Sequence, residues 1–127
     1  MSNCLVNVSV GELFDKYSIL EIKSERIRDI EKRNHVNKEL AILQIHVDNY
    51  NLDKTVLADL KQVNERLWDI EDAIREKEDK KEFDNEFIEL ARSVYIENDK
   101  RSHIKNTINK LLKSGIMDIK SYTSYKL

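Results

Sequence analysis

There is no proline in these 127 residues, and glycine occurs only twice, as Gly11 and Gly115. Folds made of many short strands need frequent turn residues, so this scarcity points to a few long helices. Cysteine occurs once, as Cys4. That count excludes a disulfide framework and a thiolate zinc site. No apolar run approaches the roughly 20 residues of a membrane-spanning helix, so no membrane partner is expected. The N-terminus has no basic stretch leading into an apolar core, so no secretory leader is expected and the cytoplasm is the expected compartment. The net charge is −2, which gives no reason to expect nucleic-acid binding. The histidines, His35, His46 and His103, show no zinc-motif spacing, and there is neither a glycine-rich phosphate loop nor a nucleophile elbow. No metal and no cofactor are expected.

What the chain does have is charge and helical period. Charged residues make up 36% of the sequence, a level suited to solvated helices. They are unevenly placed: 69–89 carries ten acidic against four basic residues, and 92–127 carries eight basic against three acidic. This pattern suits solubility and the helix macrodipole, and it also suits self-association of acidic turn with basic end. A single domain spanning 1–127 is expected, with 1–8 as an extended N-terminal segment and 115–127 as a C-terminal extension.

The stretch from Ser9 to about Arg28 organises the chain. Ser9 and Glu12 have capping-box spacing, which starts a helix near Val10. At about 100° per residue, Val10, Phe14 and Tyr17 share one side, with Leu13, Leu20 and Ile27 beside them, while Ile19, Ile22 and Ile30 point elsewhere. A helix apolar around most of its circumference belongs inside a bundle. Glu21 shares the Val10, Phe14 and Tyr17 direction, with Ser24 nearby, so its carboxylate requires a partner from another helix. Glu12, Lys16 and Lys23 read as a solvated charge ladder.

A break is expected over 29–34, then a second helix from about His35 to Tyr50. A third runs from about Lys54 to Asp79, N-capped by Asp53, and a fourth from about Asn85 to Ser114, N-capped by Asp84. The last two form a long antiparallel hairpin. The fold class is therefore all-α: an antiparallel helical bundle built on a helical hairpin. The alternating residues of 4–10 and the strand-like 116–122 after Gly115, taken as the helix stop, add the expectation of a small two-stranded pairing of the ends.

The fourth helix changes character midway. Phe87, Leu90, Ala91 and Val94 form an apolar face, and Asn98, Arg101, Lys105 and Asn109 continue it. Glu21 from the first helix and Asn64, Trp68 and Glu71 from the third are the expected counterparts. Glu21, Asn64, Trp68, Glu71, Asn98, Arg101 and Lys105 are the candidate ligand-binding set, with Trp68 or Tyr95 as a wall. No catalytic residue is assigned. An internal network that fixes helix register and a pocket for a small anion both fit this set, since Arg suits bidentate pairing with a carboxylate.

The strings Ser9–Lys23 (SVGELFDKYSILEIK), Val63–Asp72 (VNERLWDIED), Phe87–Arg101 (FIELARSVYIENDKR) and Lys120–Tyr122 (KSY) resemble a family of small bacterial and phage proteins of unknown function. The resemblance implies an all-helical domain, stand-alone or beside sugar-transfer or cell-surface polysaccharide functions, with no established activity. That family tends to place a proline at the break after the first helix, where Ile30-Glu31 stands here. The carboxylate spacings of Asp69, Asp72 and Glu76, and of Glu21 and Glu25, are similar to those of all-helical nucleotide pyrophosphohydrolases, but the full glutamate pattern is missing. Asp15 and Arg26 give the first helix a likeness to all-helical chorismate mutases, with spacing that differs by a residue.

The function expected first is a non-enzymatic interaction or scaffolding module that self-associates as a homodimer or larger, with Trp68–Glu71, Tyr50 and Tyr95 as contacts. The alternative is a binder of, or small enzyme acting on, a phosphorylated or carboxylated metabolite. In that reading Arg101 and Lys105 hold the anion, and Glu21 or Glu71 orients it or serves as acid/base.

Overall fold

The structure, a computed structural model, describes residues 2–127 and consists of four helices: α1 Val10–Arg26, α2 Ile30–Val47, α3 Lys54–Asp79 and α4 Asn85–Leu111. Each helix begins on a side-chain cap. Ser9 accepts from the Glu12 N–H, Asp29 from Lys32, Asp53 from Thr55 and Asp84 from Phe87. Each cap satisfies one of the N–H groups that a helix start leaves unpaired.

α1 packs against each of the other three helices, whereas α2 approaches α1 alone. α1 is therefore the central element. Val10, Phe14, Val47, Leu60 and Ile108 form the buried apolar cluster. α1 has 17 residues against 26 and 27 for α3 and α4. At 1.5 Å per residue it covers only about two-thirds of the hairpin. Ile88, in the uncovered part of α4, is accordingly exposed.

The α3–α4 turn closes without glycine. Lys81 takes φ 56°, and the Glu82 N–H donates to the Lys77 carbonyl at 3.0 Å, a left-handed helix stop. The Lys77 ammonium then ties the turn to Glu82, Asp84 and Glu86 at 3.0–3.1 Å. Phe83 meets Phe87 edge-on at 5.2 Å.

Several expectations are corrected. α2 starts at Ile30 rather than His35, because Asp29 caps it, so the break shrinks to residues 27–29. α1 stops at Arg26 and α4 at Leu111. The stop after α4 is Lys113, at φ 53°, and not Gly115, which has no positive φ. No strand occurs among the described residues, so the two ends do not pair. The C-terminal segment instead spends its contacts on α4: Tyr125 donates to Asp99 at 2.6 Å, and the Asn106 amide donates to the Asp118 carbonyl. The N-terminal segment is left exposed, Leu5 and Val6 included.

Candidate functional site

α1 and α4 approach closely along one seam. Gly11, Asp15, Ser18 and Ile22 recur at helical spacing and are all buried. At Gly11 the two backbones nearly touch. A Cβ placed there would collide with the Lys105 carbonyl oxygen and sit 2.9 Å from Asn109 Oδ1. The Gly11 N–H donates to that Oδ1 at 2.6 Å, and the Val10 N–H donates to Ser114 Oγ at 3.1 Å. The end of α4 thus completes the cap of α1. Glu12 does not return to the Ser9 N–H as a full capping box would. Its carboxylate goes to Lys105 Nζ at 2.6 Å.

One turn on, Asp15 is 1% exposed. Arg101 grips it side-on, Nε to Oδ1 at 2.9 Å and Nη2 to Oδ2 at 2.5 Å. The Asn64 amide donates to the same Oδ1 at 3.0 Å and to Ser18 Oγ at 2.8 Å. Lys105 Nζ stands 3.8 Å from Oδ2. Taking a lone carboxylate out of water costs several kcal/mol, which a bidentate partner and further donors offset. The hydrogen bond to Asp15 raises the pKa of Arg101 further above its ordinary value. Among the described residues, no buried side-chain polar atom lacks a hydrogen-bond partner.

Two hollows open beside this network. The first, about 520 Å³, lies between α4 and the C-terminal segment and is lined by Arg101, Lys105, Tyr95, Lys120, Tyr122 and Tyr125, among others. Tyr95 and Tyr125 meet edge-on at 5.1 Å, and Lys120 Nζ lies 5.6 Å from the Tyr122 ring centroid. The hydrogen bond to Asp99 pushes the Tyr125 phenol up to about 12. The second hollow, about 510 Å³, is lined by Ile19, Asn64, Trp68, Glu71, Asn98 and Arg101. Arg101 and Asn98 belong to both.

Of the seven expected site residues, Asn64, Arg101 and Lys105 join the buried network, and Asn98 touches it through a 3.4 Å contact with Arg101 Nη1. Trp68 and Glu71 line the second hollow only, and Glu71 is exposed and paired with Arg75 at 3.1 Å. Glu21 is misplaced in the sequence reading. It lies away from Arg101, half-buried near Glu25 and Lys61, where burial raises its pKa. Of the apolar side it shares, Val10 and Phe14 enter the core with Val47, Leu60 and Ile108, and the Tyr17 hydroxyl donates to Gln44 of α2. Glu12, read as part of a solvated ladder, belongs to the network, while Lys16 pairs with Glu39.

Asp15, Ser18 and Asp118 were not expected in the network. The signal that reveals the first two is size. Gly11 and Ser18 sit seven residues apart on one face, which marks close helix approach, and Asp15 lies between them.

A sequence profile of a family of unknown function (DUF6165) matches residues 4–126. The chain belongs to that family. No curated protein and no solved structure is found to match it. In this DUF6165 chain, no three His, Cys, Asp or Glu side chains among the described residues gather closely enough to hold a metal ion. No helix is long and apolar enough to cross a membrane.

Proposed function

We propose that this DUF6165 chain binds a small molecule carrying an anionic group, in the hollow between α4 and the C-terminal segment. The observation that carries this reading is the arrangement of Arg101. Two of its nitrogens are fixed on the buried Asp15 carboxylate, and the third, Nη1, has only a 3.4 Å partner in Asn98. Its guanidinium, pre-oriented from below, lines a hollow of about 520 Å³ together with tyrosine rings and Lys120. A concave site of a few hundred Å³ with aromatic walls and a few placed charges is the usual form of a small-molecule site. Fixing the guanidinium beforehand lowers the ordering cost of binding.

Thermal melting with short carboxylates, phosphate monoesters and amino acids, on the parent and on Lys120→Ala, tests the proposal. The parent melting temperature is expected to climb with concentration for at least one compound, reaching about 2.7 kcal/mol of added stability at a hundredfold Kd. The Lys120→Ala response is expected to be weaker. Melting unmoved by every compound at millimolar concentration contradicts the proposal.

Self-association is the second reading, and the outward side of α2 favours it. Ile42 and Ile45 are 47% and 67% exposed on a helix that approaches only α1. Light scattering on the parent and on Ile45→Lys tests it: a dimer that the substitution dissociates supports the reading, and a monomeric parent removes it.

A further inference from the structure

The groups facing the hollow between α4 and the C-terminal segment differ in how fully they are used. Glu12 and Lys105 satisfy each other, Asp15 holds Arg101, and the Asp99 carboxylate accepts from Tyr125. Three groups remain underused. Arg101 Nη1 has one long bond, to Asn98. Lys120 Nζ has no hydrogen bond to the described residues, and its nearest carboxylate, Asp118, is 3.9 Å away. Asp118 Oδ2 in turn stands 3.9 Å from both Lys105 and Lys120, too far for a hydrogen bond. Two cationic donors and one carboxylate acceptor therefore face the same cavity with capacity to spare.

The charge balance points the same way. Asp99 and Asp118 in the lining, with Asp15 and Glu12 beside it, stand against Arg101, Lys105 and Lys120, so the hollow carries no excess of positive charge. A polyanion would meet no net positive charge there, and a simple amine would leave the spare donors of Arg101 and Lys120 unused. A molecule carrying one charge of each sign keeps the balance and uses both kinds of spare capacity. It replaces a loose ion pair, Lys120 with Asp118 at 3.9 Å, by two direct hydrogen-bonded contacts. The rings of Tyr95, Tyr122 and Tyr125 offer edges and faces to an apolar or aromatic body.

We infer that the ligand of this hollow is a zwitterion of amino-acid type, with its anionic group on Arg101 and Lys120, its ammonium on Asp118 and its apolar body against the tyrosines. This inference rests on the reading of the hollow as the binding site.

Three compounds with one aromatic body test it by isothermal titration on the full chain: phenylalanine carries both charges, hydrocinnamate only the carboxylate and phenethylamine only the ammonium. Phenylalanine is expected to bind about tenfold or more tighter than either of the others, since a well-placed charge contact is worth roughly one decade of Kd. Asp118→Asn is expected to reduce phenylalanine to the affinity of hydrocinnamate while leaving hydrocinnamate binding in place. Asp118 is partly exposed in the C-terminal segment, outside every helix, so this variant keeps the bundle intact. Equal binding of phenylalanine and hydrocinnamate by the parent overturns the zwitterion and leaves the anion site standing. No binding of any of the three, with melting unmoved by carboxylates and phosphate monoesters, overturns both.

Discussion

Arg101 and Asp15 are 86 residues apart in sequence and joined by two parallel bonds, Nε to Oδ1 at 2.9 Å and Nη2 to Oδ2 at 2.5 Å. The pair fixes α1 against α4, because a slip of one helical turn moves the carboxylate by about 5.4 Å and breaks both bonds. The same guanidinium lines both hollows. One side chain thus sets the helix register and shapes the candidate binding surface.

Gly11→Ala sets two effects against each other. Alanine is the better helix former by about 0.8–1 kcal/mol. The added methyl, however, meets the Lys105 carbonyl, which belongs to a helix backbone and cannot swing aside. Overpacking of this kind costs about 1–3 kcal/mol, and separating the helices also weakens the Gly11 N–H bond to Asn109. The collision wins. Urea unfolding is expected to show a net loss of about 1–2 kcal/mol. A gain would mean the helices do not approach this closely.

Lys81→Gly is expected to stabilise. The left-handed conformation at φ 56° costs a non-glycine residue about 1 kcal/mol, part of which glycine returns in its greater unfolded-state freedom. The ion pair with Glu78 that is lost is exposed and worth little. A rise of about 0.5 kcal/mol in urea unfolding is expected. A loss would show that the turn does not use this conformation.

Glu97 and Glu21 are expected to give opposite pH dependences. Burial pushes the Glu97 carboxyl up, but hydrogen bonds from Arg66 and Lys100 outweigh it and hold its pKa below the ordinary value. Its contribution to stability is therefore present above the unfolded value, about 4.3, and is lost as pH falls through the folded one. Burial raises Glu21 above that value, so Glu21 opposes folding at neutral pH and ceases to do so in acid. Glu97→Gln is expected to melt lower than the parent at pH 7 and Glu21→Gln higher, with both differences shrinking near about pH 3. Differences that persist unchanged in acid contradict the assignment.

Tyr125 is one of five tyrosines, and its phenol is pushed up to about 12 by donation to Asp99. Burial also raises Tyr17, so ultraviolet titration is expected to show two late-ionising phenols, of which Asp99→Asn returns only Tyr125 toward about 10. A titration that Asp99→Asn leaves unchanged would mean the C-terminal segment is not seated on α4, and the hollow would lose a wall.

The four helices were legible from their apolar periods, and Ser9, Asp53 and Asp84 cap α1, α3 and α4 as their sequence suggests, while Asp29, the cap of α2, reads in the sequence as part of a break. Asn64, Arg101 and Lys105 were legible as members of an internal polar cluster because polar groups interrupt an apolar face. Their partner was not. The apolar pattern of α1 singles out the side of Val10, Phe14 and Tyr17, on which Glu21 falls, whereas a second buried face carries Gly11, Asp15, Ser18 and Ile22. Hydrophobicity ranks that face poorly, since close approach selects small residues and tolerates an acid only when a partner waits across the seam. Lys81 and Lys113 were illegible as stops because the signal sought there was glycine. Asp118 lies in a segment without helical period, and only its docking on α4 brings it to Lys105.

The central claim is that Arg101 and the buried Asp15 carboxylate form one coupled unit, and a double-mutant cycle in urea unfolding at neutral pH tests it most directly, using Asp15→Asn, Arg101→Gln and both together. Arg101→Gln strands the buried Asp15 carboxylate and is expected to cost about 3 kcal/mol, whereas Asp15→Asn leaves a guanidinium that is 29% exposed and is expected to cost less. The double change is expected to cost less than the sum, with a coupling of about 2 kcal/mol. Additivity within about 0.5 kcal/mol would show that the two residues do not meet, and would contradict the account.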